Sequence, residues 1–535
     1  MKFDPLEYNS NSQRSLVYSG RGMVATTNPY SSQAGLDIMK SGGNAFDAAV
    51  AAAAALVVVE PTGCGLGSDA FAILYSDGEI YGLNGSGYSP KDLTIDYIEN
   101  LGLQNVPKYG PLPVMVPGVV ASWKAIIERF GNLTLEEVLQ PSIILAEEGH
   151  CIQPVISMSW KKAYELQKKI NTEDCFSHWF KSFGKDERAP LPGELSKNQD
   201  LANTLKIISE TNGNDFYKGA LAEKITSFII NAGGVMTLED MVEFSPEWVK
   251  PLSKSYGGYD IWELPPNGQG VTVLLALDIL ENIKSDSTYN TDSIHNTIEA
   301  MKIGFEDGMS LVGDPRYCTD DWKQIIEGNY GQKCADRIGK VARLPECHNP
   351  GQGGTVYLAA ADGNGNMISF IQSNYRGFGS GLVVPGTGIS LNNRGYDFSM
   401  DRNSPNVLAG RKRPYNTIIP GFITRDGRPV GPFGLMGGYM QPQGHVQLVT
   451  NMIDHGMNPQ SALDSPRWQW TGGKDVHVEK DFPKDIREGL EKKGHRIVID
   501  EDRSFFGRGQ IIIRDQKGPL CGATEKRADS SIAAW

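Results

Sequence analysis

"GQGGTVYLAAADGNGNMISF", residues 351–370, is the stretch on which the fold turns. Its apolar spacing predicts a strand over 356–361, a turn at 362–366 and a return strand over 367–373. Thr355 therefore opens a buried strand directly after Gly353 and Gly354. Read locally, this is a hairpin edge that begins on a β-branched residue. A second reading is chemical. Threonine becomes a competent nucleophile without histidine when the peptide bond before it is cut, because the freed α-amino group, pKa roughly 7.7 to 8.0, accepts the hydroxyl proton. The cut itself would be intramolecular, the Thr355 hydroxyl attacking the carbonyl of Gly354, and glycine at 353 and 354 permits the backbone this attack requires. Residues 313–354 cluster glycine, proline and charge and read as an exposed connecting segment, a place where a chain can open.

Moving outward, residues 31–60, SSQAGLDIMKSGGNAFDAAVAAAAALVVVE, read as a helix ended by Gly42-Gly43, then an Asn44-capped helix of small apolar residues suited to close packing on a sheet. Residues 63–75, GCGLGSDAFAILY, read as a glycine loop and a strand, with Asp77-Gly78 turning into a partner over 79–83. These glycines precede a strand and do not stand between a strand and a helix, so the geometry of a dinucleotide loop is missing. Residues 118–310 read as helical, on periodic apolar positions in 118–130, 134–148, 201–211 and 219–232, and on Ile298, Met301 and Phe305 before the Gly313-Asp314-Pro315 turn. Strands are expected again at 367–373, 416–424, 429–435, 476–479, 496–500 and 509–514, with a helix at 441–456. Strands framed by helices on both sides predict a layered α/β architecture without internal repeats.

Composition narrows the function. A chain of 535 residues, 40% hydrophobic and 21% charged, is ordinary for a globular protein. The net charge of −12 is spread along the chain without a basic stripe, which argues against a nucleic-acid partner. The longest apolar run, 48–59, is too short to span a bilayer, so no membrane segment is expected. The first fifteen residues carry acids, Asn and Ser where a secretory signal needs an apolar stretch, and a cytoplasmic location is expected. Seven widely spaced cysteines without a CxxC pair read as reduced thiols. Cys347-His348 has no second Cys/His pair at zinc-site spacing, so neither metal nor cofactor is expected. No G-x-S-x-G elbow and no catalytic cysteine signature occurs.

Residues 355–398, TVYLAAADGNGNMISFIQSNYRGFGSGLVVPGTGISLNNRGYDF, resemble the start of the small subunit of the γ-glutamyltransferase family. The similarity continues in family order through SSQAGLDIMKSGGNAFDAAVAA, EPTGCGLGSDAF, PPNGQGVT at 265–272, RPYNTIIPGF at 413–422, GLMGGYMQPQGHVQ at 434–447 and GMNPQSALDSPRWQW at 456–470. It implies a four-layer αββα sandwich of the N-terminal nucleophile hydrolase type. It further implies one chain cut into a large piece, 1–354, and a small piece, 355–535, that stay together as an α/β heterodimer; further pairing of heterodimers is left open. By the same resemblance Thr355 is the nucleophile of self-cleavage and of turnover. Ser373 is the hydroxyl that supports it, Gly437 and Gly438 form the oxyanion hole, and Asp397 binds the substrate's α-amino group.

The departures from the family pattern bear on substrate. The family's carboxylate-binding arginine falls at Ser86 and the following glutamate at Gly87; the paired serines fall at Asn416 and Thr417, an asparagine at Tyr375, and a glutamine at Arg394. These changes resemble the divergent branch that includes oxamate amidohydrolase and cephalosporin-acylase-like proteins. The expected activity is cleavage of amide bonds through an acyl-enzyme, with a γ-glutamyl compound or a small carboxylate-bearing amide as substrate and Arg394, beside Asn416 and Thr417, as the anchor of its carboxylate. Arg394 has an alternative role as a structural partner of a nearby acid such as Asp397. The competing classes are a non-catalytic binding protein that keeps the fold and a metal hydrolase.

Overall fold

The computed structural model describes residues 14–170, 173–283, 288–318, 321–345, 354–514 and 518–535. At its centre the strands Gly354–Asp362 and Met367–Tyr375 pair antiparallel. Alternation sends their side chains to opposite faces. Val356, Leu358 and Ala360, with Ile368 and Phe370, join an apolar layer beneath helices. Tyr357, Ala359 and Ala361, with Met367 and Ile371, join a second layer against another sheet. Burial on both faces explains the continuous apolar run that marked these strands in the sequence.

The first sheet runs Ser531–Ala534, Gly22–Thr26, Gly354–Asp362, Met367–Tyr375, Asp69–Ser76, Glu79–Gly85, Glu247–Val249. The second runs Val17–Ser19, Leu520–Thr524, Arg508–Arg514, Arg428–Met436, Gly421–Arg425, Tyr259–Glu263, Leu252–Tyr256. Helices Pro29–Lys40 and Ala45–Val59 cover the first, and Gly270–Glu281 and Met440–Ile453 cover the second. The result is the expected four-layer αββα sandwich, with apolar cores under each helical layer and between the sheets. Ala45–Val59 starts on a capping box between Asn44 and Asp47 and is buried along its whole length. A Cβ added to Gly35 on the neighbouring helix would sit 2.7 Å from the carbonyl oxygen of Ala48, so the two helices meet backbone to backbone.

Several expectations are corrected. Residues 118–310 are not helical throughout: Glu247–Val249 and Leu252–Tyr256 are strands that each end one of the sheets, and Tyr259–Glu263 is the strand next to the latter. Gly257 and Gly258, at φ +55° and +79°, make the two-residue left-handed turn between the last two. The 313–354 segment is more than an exposed link, since Asp321–Glu327 and Tyr330–Ala335 are helical and Trp322 and Ile326 are buried. The strand expected at 416–424 begins only at Gly421, which leaves Asn416 and Thr417 in the irregular chain before it. Trp468–Gly472, Leu520–Thr524 and Ser531–Ala534 are strands that the pattern did not predict. Gly353, Cys347 and His348 lie outside the described residues. Among the described residues no helix is long and apolar enough to cross a membrane.

Candidate active site

Thr355 sits where the central hairpin loses register. Gly354 pairs with Tyr375 but Val356 with Gln372, a bulge that re-aims the intervening side chain. The Thr355 hydroxyl donates to Ser373 Oγ at 3.1 Å. Ser373 in turn donates to the carbonyl oxygen of Gly354 at 2.5 Å and accepts from the Tyr375 N–H at 2.8 Å. The hydroxyl and the carbonyl of the bond before it are thus bridged by one serine. Gly354 is required by space, because a Cβ there would lie 3.0 Å from the Gly377 nitrogen and 3.0 Å from the Thr62 carbonyl.

A cavity of about 420 Å³ opens over Gly354 and Thr355. Gly437 lines it from the second sheet, directly after the strand Arg428–Met436. Gly437 and Gly438 have φ of +136° and +63°, and a Cβ on Gly437 would meet the Gly507 Cα at 3.1 Å. Both conformation and space therefore require glycine at 437, and the pair leads into the N-terminus of Met440–Ile453, where a helix favours negative charge. Helix Pro154–Ile170 supplies an apolar rim through Ala163 and Leu166.

The charges on this cavity were not singled out by the sequence. Lys108, Arg376 and Arg508 face one carboxylate, Glu60. Burial pushes the Glu60 carboxyl up to about 7, against the opposing pull of Arg508 and of the Thr27 hydroxyl, which donates to it at 2.9 Å. Lys108 is held below its usual range by burial and by the charge of Arg376. The Arg376 guanidinium lies over Tyr375 at 4.8 Å and Nη2 donates to its hydroxyl at 3.0 Å.

The remaining expected residues gather one strand over from Thr355. Ser373 pairs across the sheet with Asp69, which is fully buried. Asp69 Oδ2 accepts from Arg394 Nε at 2.9 Å and from Asn416 Nδ2 at 2.8 Å. Arg394 Nη1 donates to Thr417 Oγ1 at 2.9 Å, and its guanidinium stacks on Tyr375 at 4.3 Å. The Tyr375 hydroxyl donates to Asp397 Oδ1 at 2.5 Å, and burial raises the carboxyls of both Asp69 and Asp397. Arg394 thus pairs with an acid, as one expectation had it, but the acid is Asp69 and not Asp397. Three buried atoms of this group, Arg394 Nη2, Asp69 Oδ1 and Asp397 Oδ2, have no hydrogen-bond partner among the described residues. Ser86 stands apart: its hydroxyl accepts from Asn267 and its carbonyl from Arg413 Nε, each at 3.0 Å.

Among the described residues one buried group of metal-ligand types occurs, His295, Glu299 and His495. The Lys302 ammonium already sits 2.8 Å from Glu299, and the two imidazoles bond to one another at 2.8 Å. None of its members lines the cavity over Thr355.

Comparison with known proteins agrees with this geometry. The γ-glutamyltranspeptidase family model matches residues 31–535. The crystal structure of cephalosporin acylase from Bacillus halodurans superposes with a TM-score of 0.97 at 50% identity, covering 100% of this chain and 99% of that one. The glutathione hydrolase-like YwrD proenzyme of Bacillus subtilis is 35% identical over 96% of this chain and 98% of its own length. The oxamate amidohydrolase proenzyme of Klebsiella pneumoniae is 31% identical over 97% and 99%. The chain belongs to the γ-glutamyltranspeptidase family, whose chemistry is amide hydrolysis and acyl transfer.

Proposed function

We propose that this protein is a self-processing amidohydrolase that uses Thr355 first on its own chain and then on a small amide carrying a carboxylate. The observation that carries the first half is the bridge from Thr355 through Ser373 to the Gly354 carbonyl. As Thr355 Oγ1 bonds to the Gly354 carbonyl carbon, its proton passes to Ser373 and the Ser373 proton to the carbonyl oxygen. Collapse breaks the C–N bond and leaves an ester on Thr355, with the proton delivered to the departing nitrogen. Water then hydrolyses the ester, leaving Gly354 as a new carboxyl terminus and Thr355 with a free α-amino group as its base. Because both sheets interleave strands from either side of residue 354, the two pieces remain one heterodimer and co-elute on native chromatography.

In turnover the same hydroxyl attacks the substrate amide, the N–H groups of Gly437 and Gly438 stabilise the oxyanion, and the amine leaves before water frees the acid. Arg394 Nη2, flanked by Thr417 and Asn416 and without a partner among the described residues, supports a carboxylate on the acyl side, and Asp397 Oδ2, in the same condition, supports a donor group beside it. Lys108, Arg376 and Arg508 add positive potential along the open cavity. The names of the relatives, an oxamate amidohydrolase, a cephalosporin acylase and a glutathione hydrolase-like proenzyme, agree with carboxylate-bearing amides as a class. Serine at 86 argues for slow γ-glutamyl turnover, since it cannot supply a guanidinium fork.

The test compares oxamate, glutaryl amides, γ-glutamyl-p-nitroanilide and glutathione on processed wild type and Arg394→Lys. The lysine keeps a charge beside Asp69 but loses the fork, so KM for the carboxylate amides is expected to rise about tenfold while self-cleavage continues. Efficient γ-glutamyl turnover with an unchanged KM in Arg394→Lys would show an ordinary γ-glutamyltransferase instead.

A further inference from the structure

The short strands Glu247–Val249 and Leu252–Tyr256 are the ends of the two sheets on the same side of the sandwich. Between them lies a second cavity, of about 600 Å³, that shares no lining residue with the one over Thr355. Its volume is in the range of small-molecule sites, roughly 300 to 1,000 Å³. One part of its lining is apolar, built from Trp262, Leu252, Pro265 and Pro266, with Trp322 and Ile326 of the helix Asp321–Glu327.

Two residues that line this cavity carry a buried donor without a partner among the described residues. Arg413 is 2% exposed; its Nε donates to the Ser86 carbonyl at 3.0 Å, its Nη1 pairs with Glu247 at 2.8 Å, and its guanidinium lies over Tyr88 at 4.6 Å. Its Nη2 has no hydrogen-bond partner among the described residues. Trp322, 5% exposed, has an Nε1 in the same condition. Trp262 differs, because its Nε1 donates to Thr424 at 2.9 Å and only its ring is left to offer. A buried N–H without an acceptor is costly, and two such groups on residues that line one cavity suit one ligand head that accepts from both.

Charge points the same way. Four cations, Lys250, Arg316, Lys323 and Arg413, line the cavity with three carboxylates, in a chain whose net charge is −12. Two of those carboxylates are engaged, Glu247 by Arg413 and Tyr88 and Asp314 by Arg316 and the Arg413 N–H. The third, Glu327, is at the exposed end.

We propose that this cavity is a second binding site, for an apolar carboxylic acid whose aromatic or branched body lies among Trp262, Trp322 and the prolines while its carboxylate accepts from Arg413 Nη2 and Trp322 Nε1. The proposal does not rest on the role of Thr355. It does connect to it, because Arg413 is three residues from Asn416, and Asn267 ties the segment together by donating to Ser86 Oγ at 3.0 Å and to the Pro414 carbonyl at 2.6 Å.

Isothermal titration calorimetry with phenylacetate, and with 2-phenylethanol as its uncharged counterpart, tests the site. Wild type is expected to bind phenylacetate saturably and 2-phenylethanol at least about tenfold more weakly. Trp322→Phe, which keeps a ring but removes the N–H, should weaken phenylacetate about tenfold. Ser253→Trp, which fills the cavity from an edge strand, should abolish binding. Absence of saturable binding to wild type, or wild-type affinity in both variants, overturns the proposal; the latter would place the acid at the Thr355 cavity.

Discussion

In the proposed self-cleavage Ser373 gives its proton to the Gly354 carbonyl and receives one from Thr355, along the two hydrogen bonds that join them. In a freshly translated chain, Ser373→Ala should slow appearance of the two pieces by about a hundredfold, and Ser373→Thr should restore part of the rate; cleavage at the wild-type rate in the alanine variant removes the relay. Glu60 offers a second test at this scale. Its carboxyl stands near 7 in the folded protein against an ordinary 4.5, so between those values the folded state holds the extra proton and stability falls as pH rises through that window. Glu60→Gln, which still accepts from Thr27, should raise the free energy of unfolding at pH 8 by on the order of 3 kcal/mol and change little at pH 4. Equal effects at both pH values would contradict the buried-carboxyl assignment. At this scale the sequence was informative where a residue type is itself unusual, as with Thr355 after glycine or the Gly437-Gly438 pair. It was silent on the pairing of Arg394 with Asp69, which meet across 325 positions, and on Lys108, Arg376 and Arg508, which are ordinary surface residues until the fold brings them to one cavity.

The elements that frame the site were legible where their pattern is long. Ala45–Val59 follows its Asn44 cap with fifteen residues, small or apolar at all but Asp47. The edge strands Glu247–Val249 and Leu252–Tyr256, of three and five residues, are too short for periodicity to rise above chance, and their polar side chains reflect one-sided exposure. The Gly257-Gly258 turn was the signal that could have found them. Close packing of the first helical layer is testable through Gly35, whose added Cβ would press on the Ala48 carbonyl. Gly35→Ala should destabilise by about 1 to 3 kcal/mol in urea unfolding, despite alanine's better helix propensity, because overpacking outweighs it. A gain in stability would show that the two helices have room between them.

Over the whole molecule, the proposed cut requires that the uncut chain and the enzyme share one architecture. The strand that begins at Gly354 lies inside a seven-stranded sheet with partners on both sides, so opening the chain there releases an amino group without dismantling the sandwich. On the proposed reading a threonine is core residue, substrate and nucleophile in turn, and the resemblance along the chain covered the fold more completely than any local pattern did. Intact-mass spectrometry of the purified protein under denaturing conditions is the most direct measurement. Wild type should give two species, the smaller beginning at Thr355, and Thr355→Ala should give one uncut, inactive chain. A wild-type chain that is active while uncut, or a Thr355→Ala chain that is still divided before residue 355, would contradict Thr355 as the self-cleaving nucleophile.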